Sequence, residues 1–163
     1  LPPGELTARE YLSLLKLAVN KPVSVNVMEL LARTELDPDK PIADYSRGMI
    51  QRLGVAIALL KDPDFLILDE PTLGLDPVMR LKLLEWLNEL NSQGKTILFS
   101  SHDINQVEKI CHRIGVLHKH KLLFIGSIKD FLAKHAASSL EEAFLKEIAI
   151  LQTEEKTGKD WRE

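Results

Sequence analysis

The sequence has one cysteine, Cys111, among 163 residues, so an internal disulfide is excluded and the chain reads as intracellular. It has no apolar run of the roughly 18 residues that a membrane-crossing helix needs. Positive charge is not in excess, with 21 Lys and Arg against 24 Asp and Glu for a formal charge of -3. A protein that wraps duplex needs a concentrated positive surface, so nucleic acid is not an expected partner. Glycine and proline number eight each, too few for a collagen-like or mostly disordered chain. The opening LPPGEL has no initiator Met, basic segment or signal-like apolar stretch, and the chain is expected to begin inside a longer protein. What remains, at 45% hydrophobic and 28% charged residues, is a globular composition of one domain or one domain with an appendage.

The first sixty residues read as helical. Thr7 and Glu10 form a capping-box pattern ahead of a helix over 7–18, with Tyr11, Leu14, Leu15 and Ala18 on its apolar stripe. A short helix follows at 25–33, then a loop at 37–44 marked by its prolines and acidic residues, then a helix over 46–61 capped by Ser46. The pattern then changes. FLIL at 65–68 and TILFS at 96–100 are continuous apolar runs, as in parallel strands covered on both faces. Between them, 78–92 predicts a helix built on Leu81, Leu84, Trp86, Leu87 and Leu90, with Gly94 as its exit. The crossover is long enough for a right-handed parallel connection. A helix at 103–112 precedes IGVLH at 114–118 and LLFI at 122–125, which read as a hairpin at the sheet edge. Helices at 127–134 and 139–149 come next, then a polar tail in which Trp161 is the one residue suited to docking.

Three segments carry chemistry. FLILDEP at 65–71 delivers Asp69 and Glu70 to the C-terminal end of a strand, where open α/β sheets place ligand groups. One carboxylate there can hold Mg²⁺ while its neighbour positions or deprotonates water, against the plainer alternative of a solvated strand end before a turn. The second run ends in Ser100, Ser101, His102 and Asp103. With the two strands adjacent, His102 reaches the edge that carries Glu70, where an imidazole accepts a proton or stabilises phosphoryl charge. Otherwise it simply begins the next helix. YSRGMIQRL at 45–53 puts Ser46 and Gly48 at a helix start, either a phosphate-binding end or an ordinary serine cap.

With these residues in place, the chain resembles the ATP-binding subunit or domain of an ABC transporter. YSRGM at 45–49 resembles the family's signature motif, FLILDE at 65–70 its Walker B strand, LGLD at 73–76 its D-loop, and His102 its switch histidine. The resemblance implies an α/β fold: a partial P-loop NTPase-like ABC ATPase core with parallel strands, preceded by a helical subdomain. It implies ATP and Mg²⁺ as cofactors, with Asp69 ordering Mg²⁺ through water, Glu70 as catalytic carboxylate and His102 at the γ-phosphate. Ser46, Arg47, Gly48 and Met49 would bind that phosphate across a dimer interface, and Gly74, Leu75 and Asp76 would couple the two sites. The implied partners are a second ABC ATPase subunit and integral membrane permease subunits, which would hold the protein at the inner face of the cell membrane. The family most often reads LSGGQ where Tyr45, Arg47 and Met49 stand here, a departure that resembles the ABC-2 type exporter branch, as does SLEEAFLKE at 139–147. Leu73 replaces the serine that commonly begins the D-loop, which would weaken communication between the sites.

A phosphate-binding loop, GxxxxGK[ST], is absent. The only GKT is Gly94-Lys95-Thr96, where the earlier glycine is replaced by Glu89 and the context runs helix to strand. The family's glutamine loop is also missing, and the expectation is a fragment: a helical subdomain at 1–61, the second half of the ATPase core at 62–126, and C-terminal helices with a polar tail at 127–163. Such a piece should be inactive alone and leave an unpaired sheet edge with exposed apolar surface. The alternative is a noncatalytic dimerisation or regulatory half-domain that pairs with a complete ATPase. A chromosome-maintenance or DNA-repair ATPase would need a heptad lead-in, which is not present. Cys111, His112, His118 and His120 lack the paired spacing of a structural zinc site. Apolar groups among Tyr11, Leu14, Leu30 and Leu31 serve either the core or, as the resemblance implies, a coupling helix of the membrane subunit.

Overall fold

The computed structural model describes residues 4–19 and 24–156; the polar tail with Trp161 lies outside the described residues. The chain divides into two compact units, 1–101 and 102–163.

The first unit begins with α1 (Ala8–Leu17), entered through the capping box that Thr7 and Glu10 form. Its apolar stripe differs from the expected one. Ala8 and Leu12 are fully buried, with Tyr11 and Leu15 packed beside them, whereas Leu14 and Ala18 are exposed. The helix ends at Leu17, and the i, i+3, i+4, i+7 set starting at Ala8 spans it completely. Asn26 caps α2 (Val27–Arg33), and a single 3-10 turn, Ile42–Asp44, lies within the expected loop. Ser46 caps α3 (Arg47–Leu59) by accepting the Met49 amide at 3.3 Å. Arg52 of α3 donates to the carbonyls of Thr34 and Glu35 at 2.8 and 2.9 Å, tying down the C-terminal end of α2.

The strands β1 (Phe65–Leu68) and β2 (Thr96–Phe99) pair in parallel, in the register Phe65 with Thr96 through Leu68 with Phe99. They are joined by α4 (Pro77–Ser92), whose exit runs through Gly94 at φ 96°, a left-handed conformation suited to glycine. The expectation that both strand faces are covered is not met. Leu66 and Leu68 are buried among the helices, while Phe65, Ile67 and Leu98 on the alternate positions are more than half exposed. Leu81 also departs from its expected core place: it is 59% exposed, and the buried set of α4 is Met79, Leu83, Leu84, Trp86, Leu87 and Leu90.

The second unit contains α5 (Ile104–Ile110), a hairpin of β3 (Arg113–His118) and β4 (Lys121–Ser127), α6 (Ile128–Lys134) and α7 (Leu140–Lys156). The hairpin is antiparallel as expected, but among the described residues it forms a two-stranded sheet of its own rather than the edge of the parallel pair. Helix α7 runs past the expected end at 149. Phe131, fully buried, packs against Phe124 with ring centres 4.7 Å apart and the rings tilted by 44°, with Ile114, Val116, Leu140 and Ala143 around it. Buried Glu147 accepts from Lys134 Nζ at 2.9 Å, fastening α7 to the end of α6, and His135 Nε2 lies 2.6 Å from the same carboxylate.

Candidate functional site

Parallel pairing in this register places the residues after Leu68 beside those after Phe99, so Asp69 and Glu70 meet Ser100 at the C-terminal end of the strand pair. The Ser100 amide donates to the Leu68 carbonyl at 3.0 Å, extending the ladder by one bond. Ser100 Oγ donates to Asp69 Oδ1 and accepts the Glu70 amide at 2.9 Å. One hydroxyl therefore orients the first carboxylate and fixes the backbone of the second. Sequence reasoning gave Ser100 no role; the signal was its place one residue past the strand end, in line with Asp69.

Glu70 has φ 45°, in the left-handed region, which a residue with a Cβ adopts at a cost of roughly 1 kcal/mol or more. Its carbonyl accepts the Leu73 amide at 3.0 Å in a tight turn and the side-chain amide of Gln51, from α3, also at 3.0 Å. Leu73 is exposed; Leu75 is buried in the core. Gly74 has φ 76°. Asp76 is the N-cap of α4, accepting the Met79 and Val78 amides at 3.0 Å with Pro77 at the first helical position. The Met79 amide contributes most to holding the Asp76 carboxyl below the usual carboxylate range.

The signature-like segment meets this turn. A methyl group at position 48 would lie 2.9 Å from the Gly74 carbonyl oxygen and 3.8 Å from Leu75 Cδ2, so Gly48 makes room for the turn within the chain itself. Ser46 and Arg47 are exposed and Met49 is half-buried. The Ser46 hydroxyl, which accepts from Met49, still carries a proton to donate. Burial pushes the Tyr45 phenol above its ordinary pKa, and its hydroxyl donates to the Asp37 carbonyl at 3.2 Å. His102 opens the second unit and is exposed. The structure thus brings Asp69, Glu70 and Ser100 together, and Gly48 with Gly74 and Leu75.

Asp69, Glu70 and Ser100 offer oxygen alone, the donor chemistry that suits Mg²⁺. Among the described residues no group of three or more His, Cys, Asp or Glu is arranged to hold a metal. Cys111, His112, His118 and His120 belong to no such group. Cys111 instead ends α5, and burial pushes its thiol up to about 11.

Lys95 is committed elsewhere. Its ammonium contacts Asp62 Oδ1 at 2.6 Å and the Pro63 carbonyl at 3.0 Å, fastening the start of β2 to the loop before β1. Lys95→Met is expected to cost about 1 kcal/mol of stability in a denaturant melt. Nucleotide affinity of an assembled ATPase containing the chain should be unchanged; a selective loss of affinity would instead make Lys95 a phosphate ligand.

The fold has known counterparts. A solved structure described as the ATP-binding subunit of an ABC transporter superposes with a TM-score of 0.79 at 29% identity, covering 91% of this chain and 65% of its own. This chain is ABC transporter ATP-binding domain-like. A dimeric ATP-binding cassette, in a post-hydrolysis state with ADP and Pi, superposes with a TM-score of 0.68 at 28% identity over 77% of this chain and 58% of its own. An uncharacterized ABC transporter ATP-binding protein of Nostoc sp. is 40% identical over 134 residues, 78% of this chain and 40% of the relative. The linearmycin resistance ATP-binding protein LnrL of Bacillus subtilis is 35% identical over 136 residues, 78% of this chain and 43% of the relative. The chain therefore spans about two fifths of the curated relatives it matches. A family model described as "AAA domain, putative AbiEii toxin, Type IV TA system" matches residues 30–108.

Proposed function

We propose that the chain forms part of an ATP-binding and ATP-hydrolysing subunit that energises an ABC transporter, working through a composite site between two such subunits. One observation carries this reading: the parallel strand pair ends in Asp69 and Glu70, with Ser100 orienting the first carboxylate and Glu70 held left-handed beside it. In this reading Asp69 holds Mg²⁺ through water, and the ion, when bound, neutralises charge that develops on the transferring phosphoryl group. Glu70 orients and deprotonates the attacking water, and His102 stabilises the γ-phosphate. Ser46 and Gly48, with Arg47 and Met49 beside them, present the start of α3 to phosphate on the partner subunit. Gly74, Leu75 and Asp76 link the two sites, which the contact of Gly48 with the Gly74 carbonyl supports.

The helical segment 1–61 forms the signature subdomain, 62–126 the second half of the ATPase core, and 127–163 the C-terminal helices and tail. Permease subunits hold the assembly at the inner face of the membrane. Among the described residues no helix is long and apolar enough to cross a membrane. The ABC-2 exporter branch is supported by the Tyr45, Arg47 and Met49 substitutions and by relatives named for linearmycin resistance and Nod factor export.

The reading is tested through Asp69→Asn in an assembled ATPase that contains this chain. Phosphate release followed against Mg²⁺ concentration should require about tenfold more metal for half-maximal rate, since one charged ligand interaction is worth roughly that factor. An unchanged Mg²⁺ dependence removes Asp69 from the metal site. A noncatalytic dimerisation module, the reading favoured by the missing phosphate-loop motif, would give an assembly whose turnover is indifferent to both Asp69 and Glu70.

A further inference from the structure

We infer that Gln51 is a positioning residue for Glu70, a role that rests on the hydrolytic reading of the site. Glu70 holds a left-handed conformation at φ 45° that a side-chain-bearing residue leaves unless its peptide groups are tied. The amide side is tied to Ser100 Oγ at 2.9 Å. On the carbonyl side, the Leu73 amide is part of the turn itself. The side-chain amide of Gln51, 3.0 Å away, reaches that carbonyl from another element.

Gln51 lies three residues beyond Gly48, hence on the same face of α3. That face presents Gly48 to the Gly74 carbonyl and Gln51 to the Glu70 carbonyl, so one helix meets both ends of the 70–74 turn. A helix moves as a body. Displacement of its Ser46 end is therefore delivered to the Glu70 peptide, and the direction of the carboxylate follows. Glutamine suits this task because its amide donates without a charge that would pair with the Glu70 carboxylate.

Two measurements test the role. Gln51→Met keeps the shape and removes the donor. In the 163-residue chain its circular dichroism should match the parent, while the Leu73 amide, whose acceptor is the Glu70 carbonyl, should exchange about tenfold faster. In a Glu70→Gly background, where the left-handed conformation needs no restraint, the same substitution should change that rate less than about twofold. In an assembled ATPase containing the chain, Gln51→Met should lower kcat about tenfold with KM for ATP unchanged. Gln51→Leu, also uncharged and without a donor, should reproduce the Met variant and stands in for it if that variant fails to fold.

Unchanged Leu73 exchange, or kcat and KM moving together, overturns the role. Loss of turnover in Glu70→Gln beside normal kcat in Gln51→Met overturns it alone, whereas full turnover in Glu70→Gln overturns the hydrolytic reading and the positioning role together.

Discussion

Turnover of an assembled ATPase containing this chain should fall by about 100-fold or more in Glu70→Gln, the range that loss of a positioned general base produces. The amide keeps the size of the carboxylate, so the turn, the Ser100 and Gln51 contacts and ATP affinity should persist while the water loses its general base. The backbone adds a second reason to expect the effect. A left-handed position in a tight turn ordinarily goes to glycine, and a glutamate there tolerates a conformational cost that its side chain must offset through function. Glu70→Gly should accordingly retain the fold within about 1 kcal/mol while losing turnover as fully as the glutamine variant. Phosphate release at saturating ATP, measured beside ATP binding, separates the outcomes. Near-parental turnover in Glu70→Gln would remove Glu70 from the catalytic assignment.

Much of this site was legible because its signals are local. The Thr7 and Glu10 box, the Ser46 cap and the two short apolar runs ending in Asp69 and Ser100 each specify their own structure within a few residues. Parallel pairing then follows from chain geometry, since a helix of sixteen residues separates the strands. What stayed hidden depends on partners far along the chain. Gln51 and Glu70 are nineteen residues apart in sequence, and nothing in the period of α3 distinguishes a residue that faces a turn from one that faces solvent. Gly48 read as a place for phosphate to approach, and its missing side chain also admits the Gly74 carbonyl.

Burial failed for a related reason. Phe65, Ile67 and Leu98 are as apolar as the buried Leu66 and Leu68, and composition alone cannot say that only one side of this strand pair is covered. In α4 the leucines lie all around the helix, so Leu81 satisfies a local i+3 spacing with Leu84 while the buried face follows Met79, Leu83, Trp86, Leu87 and Leu90.

The second large effect concerns the 163-residue chain by itself, which should neither bind MgATP at micromolar concentration nor release phosphate. Its carboxylates are in place, yet a nucleotide is held chiefly by backbone donors and a lysine that cradle its phosphates, and these residues contain no GxxxxGK[ST] segment. Lys95, the lysine of the one GKT sequence, is already engaged by Asp62 and the Pro63 carbonyl. The donors at the start of α3 would act on phosphate held by another subunit, so pairing two copies of this chain supplies the donors twice and the cradle not at all. The exposed Phe65, Ile67 and Leu98 should meanwhile make the isolated chain associate as its concentration rises, because burying such a patch recovers roughly 25 cal/mol for each Å² removed from water. Calorimetry with MgATP and a phosphate-release assay, run beside sedimentation at several concentrations, test both statements. Micromolar binding with turnover that disappears in Glu70→Gln would overturn the first, and would mean that these residues cradle phosphate through groups other than a phosphate loop.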